Sequence, residues 1–591
     1  MMSFSSLLPS IEFAELDRHF AEFIGRFGGD RKLMPVAAAM LSRITREGNI
    51  CLPLAMAPKR LEEAKEVAEE FVWPTVTEWR SILANSKAVG GPDEQTPLVV
   101  DESHRLYLRR YWNYQKHLAV ALCEKAAKSR KTTGSRGGTQ ADAIEAAVEN
   151  ELTIISGGPG TGKTSTVLDI LDRLLQAPGN ERLRVALAAP TGKAAARLEE
   201  TLRIGLEKLD CPKVVKARIP VSASTIHRLL GVRGNSIYFR HDRQNPLPID
   251  LLVIDEASMV ALPLLSKLFD ALPERCRVVL LGDRDQLASV EPGAVLADIV
   301  DAATSPKSPL HHAVVTLEKN YRFSELSGIH HLCVAVRQGD PEKAVHILRD
   351  KHHPDLVSTE LHGHYSVAGK FSEAILAGFS AFAREKEPVA ALTQLKTFRV
   401  LSALRRGPFG VERLNQDIEK ILRNAELLPP KATSSYAGKP ILITQNDYQL
   451  QLYNGDVGIL LPDQAEKENP EQLWAWFMGK ENALRRFAPA RLPQHEAAYA
   501  MTVHKSQGSE FDRVLFILPD RDAPILSREL IYTGLTRARS EVEVWWNEPV
   551  FTVAVARRAE RHSGLRGLLA PQSATAERRP PEQLQLFREE N

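Results

Sequence analysis

The sequence contains few cysteines, no long apolar run and almost no excess of either charge. Only five of its 591 residues are cysteine. They are Cys51, Cys123, Cys211, Cys276 and Cys333, too scattered to form a CxxC pair. This spacing argues against a zinc or iron–sulfur site and fits a reducing cytoplasm. No apolar run approaches the ~18 residues that a membrane helix needs, so we expect a cytoplasmic protein with no membrane contact.

The charge balance excludes a protein whose whole surface attracts polyanions. Lys and Arg number 76, Asp and Glu 74, and the formal net charge is +2. Any basic surface must therefore be local. Hydrophobic residues make up 43% and charged residues 25%, which is ordinary for a globular chain. The length predicts roughly four domains, and the first twelve residues lack the basic and apolar regions of a signal peptide.

The hydrophobic pattern predicts an α/β protein with two parallel sheets. Helical patterns dominate residues 1–127, as in 37–46 and the amphipathic 106–127. From Gln140 onward, apolar runs alternate with helical segments, which is typical of a parallel sheet covered on both faces. The first set of runs is 153–156, 184–188, 251–254 and 278–281, and the second is 397–402, 501–503 and 514–518.

Three segments differ from this pattern. Residues 128–139, KSRKTTGSRGGT, have the composition of a flexible linker. Residues 440–462 and 473–477 are short β-like runs, which predict a small β-barrel inserted into the second sheet domain. The tail after about Ser563 is polar, and we expect part of it to be disordered.

The segment GGPGTGKT has the composition and context of a phosphate-binding P-loop. It follows a β-like run and precedes a helical one. Lys163 is expected to reach the β- and γ-phosphates, and the Thr164 hydroxyl to bind Mg²⁺. The alternative is a glycine-rich turn that matches by chance. The residues expected at the nucleotide are Gly157, Gly158, Pro159, Gly160, Thr161, Gly162, Lys163, Thr164 and Ser165.

Two further apolar runs end in polar residues that suit nucleotide hydrolysis. Asp255 and Glu256 follow the run LLVI, 92 residues after Lys163. Asp255 is expected to hold the metal and Glu256 to deprotonate the attacking water; the alternative is a solvated helix start. Gln286, in LGDRDQL, is placed to sense the γ-phosphate or the water, although a capped turn would account for it as well.

The ordered motifs GGPGTGKT, APTGKAAARL, VIDEAS, LGDRDQL, NYRF, TVHKSQGSEF and YTGLTRAR resemble those of superfamily 1 helicases. The chain resembles most closely the RecD family, the alpha subunits of exodeoxyribonuclease V in RecBCD complexes. Matching stretches run from about Leu106 to Leu569 and include LRRGPFGVERLN and the block 440–460, which are more specific to that family. The segments EGNICLPL and LYLRRYW extend the resemblance into the N-terminal region.

The resemblance implies further roles at the nucleotide. Gln140 matches the adenine-binding glutamine, although a polar helix start accounts for it equally well. Glu510 matches a residue near the ribose. Arg322 and Arg537 match two arginines that reach the γ-phosphate from the second motor domain, where they would stabilise transition-state charge.

The resemblance also implies six contacts to single-stranded DNA: Thr191, Lys193, Thr225, His227, Thr502 and His504. The two histidines have an alternative role, since a lone histidine is often only a hydrogen-bonded part of the fold.

The fold implied is two RecA-like motor domains, a helical N-terminal domain and a small SH3-like β-barrel insertion. The boundaries are a partner-docking domain at 1–127, a linker at 128–139, a first RecA-like domain at 140–325, a second at 326–435 and 496–569, the insertion at 436–495 and a flexible tail at 570–591. Residues 234–245, GNSIYFRHDRQN, are either a strand-separating pin hairpin or an ordinary surface loop.

The implied function is a bacterial, ATP- and Mg²⁺-dependent 5′→3′ DNA helicase that works with RecB-like and RecC-like subunits on DNA ends. Gln449 and Tyr453 have a QxxxY spacing known in nucleases, but no matching acidic-lysine constellation accompanies it. We therefore expect no nuclease site. The alternatives are a stand-alone RecD-like helicase and a non-catalytic DNA-binding scaffold; the intact set of motifs argues against the scaffold.

The C-terminal segment Gln583-Leu584-Gln585-Leu586-Phe587 lies outside the family pattern. It resembles the short peptides with which bacterial proteins bind the sliding clamp, and Leu586 and Phe587 would be its apolar anchors. The alternative is the last helical turn of a polar tail.

Overall fold

The computed structural model describes most of the chain. The described residues are 13–56, 74–128, 138–234, 236–361, 368–430, 434–447, 449–466, 469–479 and 483–570. The predicted linker is described only at its two ends, and the predicted clamp-binding segment lies outside these ranges.

The N-terminal region is built from helices, as predicted, together with a small sheet that the sequence pattern did not reveal. Its helices are Glu15–Gly25, Leu33–Arg46, Val76–Ala84 and Arg109–Ala127. Its strands are β1 (Cys51–Pro53), β2 (Val89–Gly90), β3 (Leu98–Val100) and β4 (Arg105–Leu108), in the order β1-β4-β3-β2. The predicted helical stretch 106–127 therefore begins as strand β4. Asp17, fully buried, accepts hydrogen bonds from Ser42 (2.7 Å) and Arg46 and anchors the first two helices to each other.

The first large sheet has six parallel strands, as the alternating pattern predicts. They are β5 (Leu152–Gly157), β6 (Val185–Ala189), β7 (Ser224–Thr225), β8 (Leu251–Ile254), β9 (Arg277–Gly282) and β10 (Val314–Leu317), in the order β10-β5-β9-β8-β6-β7. The helices of this region are Gln140–Glu149, Lys163–Gln176, Gly192–Lys208, Lys213–Lys216, Ile226–Leu230, Leu262–Asp270 and Val295–Ala303. Separate apolar clusters pack on the two faces of the sheet, so inner strands such as β6 and β8 are apolar on both faces.

The second large sheet has five parallel strands and confirms the predicted fold class. They are β11 (Leu356–Glu360), β12 (Phe398–Ser402), β18 (Ala500–Thr502), β19 (Phe511–Ile517) and β20 (Ala538–Trp546), in the order β11-β20-β19-β12-β18. Its helices are Gly328–Gln338, Pro341–Arg349, Ala368–Arg384, Pro388–Gln394, Val411–Asn424, Arg528–Leu535 and Glu548–Ala556. Strands β12 and β18 are neighbours in space, although the whole of the intervening small sheet separates them along the chain.

That small sheet is antiparallel. Its strands are β13 (Lys439–Ile443), β14 (Val457–Pro462), β15 (Leu473–Met478), β16 (Leu484–Phe487) and β17 (His495–Ala497), in the order β16-β15-β14-β13-β17. Its apolar side chains form a cluster of their own that includes Ile441, Leu460 and Phe477. Its SH3-like character and the domain boundaries stay predictions. Short 3₁₀ helices occur at Leu54–Met56, Ala257–Met259, His311–Ala313, Pro489–Arg491 and His504–Ser506.

A C-terminal strap, residues 557–569, leaves the second-sheet region and returns to the N-terminal region. Its last residues include the short helix Leu565–Leu568. The Arg561 guanidinium donates to the Gly48 carbonyl (2.8 Å) and to the Ser289 carbonyl (3.1 Å). The amide of Ile50 donates to the His562 carbonyl (2.8 Å). The strap thus joins three regions of the molecule.

The carboxyl group of Asp298 lies under this strap and is expected to make stability depend on pH. Burial raises its pKa to about 7, and its Oδ2 is buried without a hydrogen-bond partner within the described structure. Between about pH 4 and pH 7 the folded chain holds a proton that the unfolded chain releases, so stability falls as pH rises through this window. We expect Asp298→Asn to remove this slope and to stabilise the protein at pH 8 by about 1–3 kcal/mol.

Urea unfolding at pH 5 and pH 8 measures the effect. Asp301→Asn is the matched control, because Asp301 lies one helical turn away and pairs with Arg284 and Arg558; its loss should not stabilise the protein at either pH. Equal unfolding midpoints for Asp298→Asn and the parent chain at pH 8 would contradict the assignment.

The five cysteines are all free thiols, and burial raises the pKa of Cys51, Cys276 and Cys333 to about 12. Across the described ranges, no helix combines the length and apolarity needed to cross a bilayer.

Candidate nucleotide and DNA site

The glycine-rich loop joins strand β5 to the helix Lys163–Gln176 with a backbone that needs glycine. Gly160 and Gly162 have φ of +84° and +80°, in the left-handed region that side chains disfavour. A Cβ on Gly162 would lie 2.0 Å from Nε2 of Gln140. The loop therefore leaves its amides and the helix N-terminus open to an anion, as phosphate binding requires.

Lys163 occupies the mouth of this loop. Its ammonium donates to the carbonyls of Gly157 (2.5 Å) and Gly158 (3.0 Å). The charge is thus held next to the amides of the loop, within reach of phosphate oxygens that would replace the two carbonyls.

Gln140, the residue expected to bind adenine, lies beside the loop. It opens the helix Gln140–Glu149, which Thr139 and Asp142 cap through reciprocal hydrogen bonds. Its Nε2 donates to the Thr161 carbonyl (3.1 Å). The side chain is therefore fixed at the edge of the loop, although no contact within the described structure distinguishes adenine from another base.

Thr164 and Asp255 meet across the ends of two strands. The Thr164 hydroxyl donates to Oδ2 of Asp255 over 3.3 Å, and burial together with the charge of Glu256 raises the pKa of Asp255. A hydroxyl and a carboxylate at this separation are hard oxygen ligands of the kind that Mg²⁺ prefers. A bound cation would also relieve the cost of burying the Asp255 charge, so the two residues fit the predicted metal.

Glu256 has a strained backbone. Its φ of +53° and ψ of +40° lie in the left-handed region, which is uncommon for a residue other than glycine and clusters at functional sites. Its amide donates to Oδ1 of Asp255 (2.8 Å). Burial acts to lower the pKa of the Arg197 and Arg537 guanidinium groups. The negative charge of the nearby Glu256 carboxyl acts to raise both of these pKa values.

Gln286 belongs to a buried network that crosses to the second sheet. Its Nε2 donates to Oδ2 of Asp283 (3.2 Å), which also accepts from the Tyr532 hydroxyl (3.0 Å). The next residue, Leu287, donates its amide to the Thr533 hydroxyl (2.9 Å) and accepts from Gln507 (2.7 Å). Movement between the two sheets would therefore act directly on Gln286.

The segment NYRF packs onto the glycine-rich loop. Asn320 donates to the Pro159 carbonyl (3.0 Å), and the Tyr321 amide donates to the Gly160 carbonyl (2.8 Å). These contacts fix the start of the Arg322 side chain next to the loop.

Arg322 and Glu510 form an ion pair at the cleft between the two sheets. Nη2 of Arg322 donates to Oε1 of Glu510 (2.5 Å), which also accepts from Arg197. Oε2 accepts from Arg539 (3.3 Å). Burial acts to raise the pKa of Glu510, but the arginines outweigh it and bring the pKa to about 2. Nη1 of Arg322 is buried with no hydrogen-bond partner in the described structure, so this arginine retains a donor for an anion.

Arg537 is 2% exposed and donates to the carbonyls of Thr533 (3.0 Å) and Ser509 (3.2 Å). Burial lowers its pKa, while Glu256 and Glu510 act in the opposite direction. The structure therefore brings Lys163, Glu256, Arg322, Arg537 and Glu510 to one cleft. Within the described ranges, the hydrogen bonds of Arg537 all go to its own region.

Three of the predicted DNA-contacting residues share one structural role. The hydroxyls of Thr191, Thr225 and Thr502 each accept from the amide three residues later, at 3.2–3.3 Å. Each thus caps the turn at the carboxyl end of a strand: β6, β7 or β18. Such threonine-capped turns occur on both sheets, and hydroxyl and amide groups of this kind suit contacts to backbone phosphates.

The other three predicted DNA contacts are partly buried. Burial lowers the pKa of Lys193 to about 8, and Arg399 acts in the same direction. Burial also lowers the pKa of His227 and His504. His227 packs edge-on against Phe239, with ring centroids 5.9 Å apart, which matches the structural alternative for this histidine.

The predicted pin is not a β-ladder. Its described residues form turns, and the flanking Val232 makes a single antiparallel bridge with Phe239. Side chains take part in its hydrogen bonding: Asp242 accepts from two amides of its own turn, and Lys267 donates to the Ile237 carbonyl. Ile237 and Tyr238 are nevertheless 71% and 66% exposed at its tip. The choice between a pin hairpin and a surface loop stays a prediction.

Sequence reasoning missed four side chains that organise the cleft: Arg197, Asp283, Asn320 and Tyr532. All four stand inside motifs that were recognised, so their type and position were visible. Their partners lie 161–313 residues away along the chain, which no local pattern indicates.

Three family models match the chain. The "RecBCD enzyme subunit RecD, N-terminal domain" matches residues 12–107, the "AAA domain" matches 140–292 and the "UvrD-like helicase C-terminal domain" matches 497–544.

Curated relatives cover nearly the whole chain. The RecBCD enzyme subunit RecD of Mycolicibacterium smegmatis is 37% identical over 91% of this chain and 93% of its own length. The subunit RecD of Haemophilus influenzae is 32% identical over the same shares. The ATP-dependent RecD2 DNA helicase of Deinococcus radiodurans is 32% identical over 71% of this chain and 50% of its own length. A solved structure of Bacteroides Pif1 bound to single-stranded DNA aligns with a TM-score of 0.37 at 17% identity, over 70% of this chain and 92% of that chain.

Proposed function

Because this chain belongs to the RecD family of superfamily 1 helicases and is an ATP-dependent DNA helicase, we propose that it is the 5′→3′ motor of a RecBCD-type helicase-nuclease. In this role it processes double-strand DNA ends for recombination repair in the bacterial cytoplasm. The observation that supports the proposal is the cleft in which the glycine-rich loop, Asp255, Glu256 and Arg322 lie on the first-sheet side and Glu510 faces them from the second-sheet side.

At the nucleotide, Lys163 and the loop amides bind the phosphates, and Gln140 lies at the base. Thr164 and Asp255 would hold Mg²⁺, which would supply positive charge to the phosphates. Glu256 takes the proton of the attacking water, and Gln286 orients that water. Arg322, which is held beside the loop, and Arg537, which comes from the second-sheet region, stabilise the charge that develops on the γ-phosphate, and the approach of Arg537 closes the two sheets on each other.

On the DNA side, Thr191, Lys193, Thr225, His227, Thr502 and His504 grip one strand. The three threonine-capped helical turns support this role, since they stand on both sheets. Alternating the grip between the sheets during ATP binding and release gives directed stepping. The tip formed by Ile237 and Tyr238 separates the strands, because an exposed apolar tip held by hydrogen bonds to its base can act as a wedge.

The chain forms a heterotrimer with RecB-like and RecC-like subunits, and its N-terminal region docks on the RecC-like subunit. An exposed apolar row on that region supports the contact: Leu16, Phe23 and Phe27 are 63%, 50% and 36% exposed, and such rows mark interaction surfaces. The relative named RecD2 favours a stand-alone helicase as the second candidate, but the match to a RecD N-terminal domain favours the complex.

This chain carries no nuclease site in our proposal. Gln449 lies within the turn that the bridge between Asp447 and Leu452 closes, and Tyr453 follows that turn directly, which matches a structural role for the QxxxY spacing. The clamp contact of Gln583 to Phe587 stays a separate proposal that no described contact supports.

Strand displacement tests the polarity and the motor together. With ATP and Mg²⁺, we expect the purified chain to open duplexes with a 5′ overhang at least tenfold faster than those with a 3′ overhang. The same assay is repeated with co-expressed RecB-like and RecC-like subunits, because a chain that opens neither substrate alone should gain activity in the complex. Preference for the 3′ overhang in both forms would contradict the proposed polarity.

A further inference from the structure

Arg197 connects the DNA side of the molecule to the nucleotide cleft. It lies on the helix Gly192–Lys208, whose start is capped by Thr191. Its guanidinium reaches across the cleft to Oε1 of Glu510, the same oxygen that accepts from Arg322. One carboxylate oxygen is therefore shared by an arginine of the DNA-side helix and an arginine beside the glycine-rich loop.

The shared oxygen makes the two arginines compete for one charge. Glu510 is 6% exposed, whereas Arg197 is 36% and Arg322 17% exposed. At so poorly hydrated a site, the positive charge of either guanidinium reduces the net attraction of the Glu510 carboxylate for the other guanidinium. Removing Arg197 would leave Glu510 to hold Arg322 more tightly, away from a phosphate.

Arg197 and Glu510 each lie a few residues after a threonine that is proposed to contact DNA. Arg197 follows Thr191 by six residues, and Glu510 follows Thr502 by eight. Between them, a Cβ placed on Gly508 would lie 3.7 Å from the Cβ of Ala194. A bound DNA strand that shifts either threonine-capped turn would thus change the distance between Arg197 and Glu510.

We propose that Arg197 is a positioning residue that couples DNA binding to the release of Arg322 from Glu510. The proposal rests on the function proposed above. Arg197 touches neither the phosphates nor the DNA; it acts by sharing the charge of Glu510, so that Arg322 is free to turn towards the nucleotide when the DNA-side helix is engaged.

Arg197→Ala should therefore reduce the coupling between the two ligands rather than the binding of either one. Coupling between sites in proteins typically changes affinity about 5- to 150-fold. We expect the ratio of single-stranded DNA affinities, with and without a non-hydrolysable ATP analogue, to fall to within about twofold of one. DNA-stimulated ATP turnover should fall at least tenfold, whereas turnover without DNA should change less than threefold.

Fluorescence anisotropy of a labelled oligothymidine and a steady-state ATPase assay measure these quantities on the full chain. Arg197→Lys keeps a charge and should retain part of the coupling. Arg203→Ala, a matched change on the same helix, should leave the coupling unchanged. Arg539→Ala removes an equal charge from the other oxygen of Glu510 but does not span the cleft, and it should retain most of the coupling.

Two outcomes would overturn the proposal: an affinity ratio in Arg197→Ala equal to that of the parent chain, or an equal loss of coupling in Arg539→Ala. Circular dichroism and thermal unfolding check that each variant folds, and if Arg197→Ala does not, Arg197→Gln replaces it. A parent chain without any DNA-stimulated turnover would instead contradict the proposed function, which separates the two failures.

Discussion

Replacing Lys163 with glutamine is expected to lower ATP turnover by about 10²–10³-fold and to abolish strand displacement, while the chain stays folded. The ammonium lies between the carbonyls of Gly157 and Gly158, where it would meet the phosphates. A glutamine amide can still donate to these carbonyls, so the loop should keep its shape. A coupled ATPase assay with saturating oligonucleotide measures the loss, and circular dichroism checks the fold.

Lys216→Gln is the control for this experiment. Lys216 is also a lysine of the first-sheet region, but its ammonium donates to the Glu207 carbonyl on the surface (3.4 Å) and makes no other hydrogen bond among the described residues. Its replacement should leave turnover within about twofold. Turnover retained in Lys163→Gln would refute the assignment of the whole nucleotide site.

The second large effect is expected at Arg322. We expect Arg322→Ala to lower kcat for ATP by about 10³-fold or more with less than a fivefold change in KM. The reason is geometric: Nη1 is a buried donor without a partner in the described structure, and Nη2 is held by Glu510 next to the loop. A group that engages the phosphate only as charge develops contributes to kcat rather than to binding.

Two variants sharpen this prediction. Arg322→Lys should recover little activity, because an ammonium lacks the planar, forked donors of guanidinium. Arg539→Ala removes another partner of Glu510 and should lower kcat less than tenfold. Similar losses in Arg322→Ala and Arg539→Ala would mean that the integrity of the Glu510 cluster, and not a donor to phosphate, causes the effect.

The sequence predicted best the apolar strands of the two large sheets. The run 153–156 is strand β5, Leu152–Gly157, and the run 251–254 is strand β8. A short, continuous apolar run between polar turns is typical of a strand that is buried on both faces. Strands β1 to β4 were missed because each has only two to four residues, too few for alternation to show, and residues 106–108 continue without a break into a helical pattern.

The nucleotide site was predicted residue by residue, but the connections within it were not. The motifs and their order along the chain identified Lys163, Asp255 and Arg322 as site residues, because each motif has a recognisable local pattern. That Glu510 holds arginines from both sides of the cleft depends on contacts between residues up to 313 positions apart. Whether Glu510 also approaches the ribose stays a prediction.

The C-terminal strap has a consequence for the order in which the protein matures. Gly564 donates its amide to Gln115, 449 residues earlier in the chain, and Arg105 donates to the Ser563 carbonyl. Ribosomes add about 5–20 residues per second, so these groups wait about 20–90 s for their partners during synthesis. Until then, part of the N-terminal surface stays uncovered on the nascent chain. During this interval the uncovered surface is open to a holding chaperone or to an early-binding partner subunit. The time available for either is set by the rate of translation.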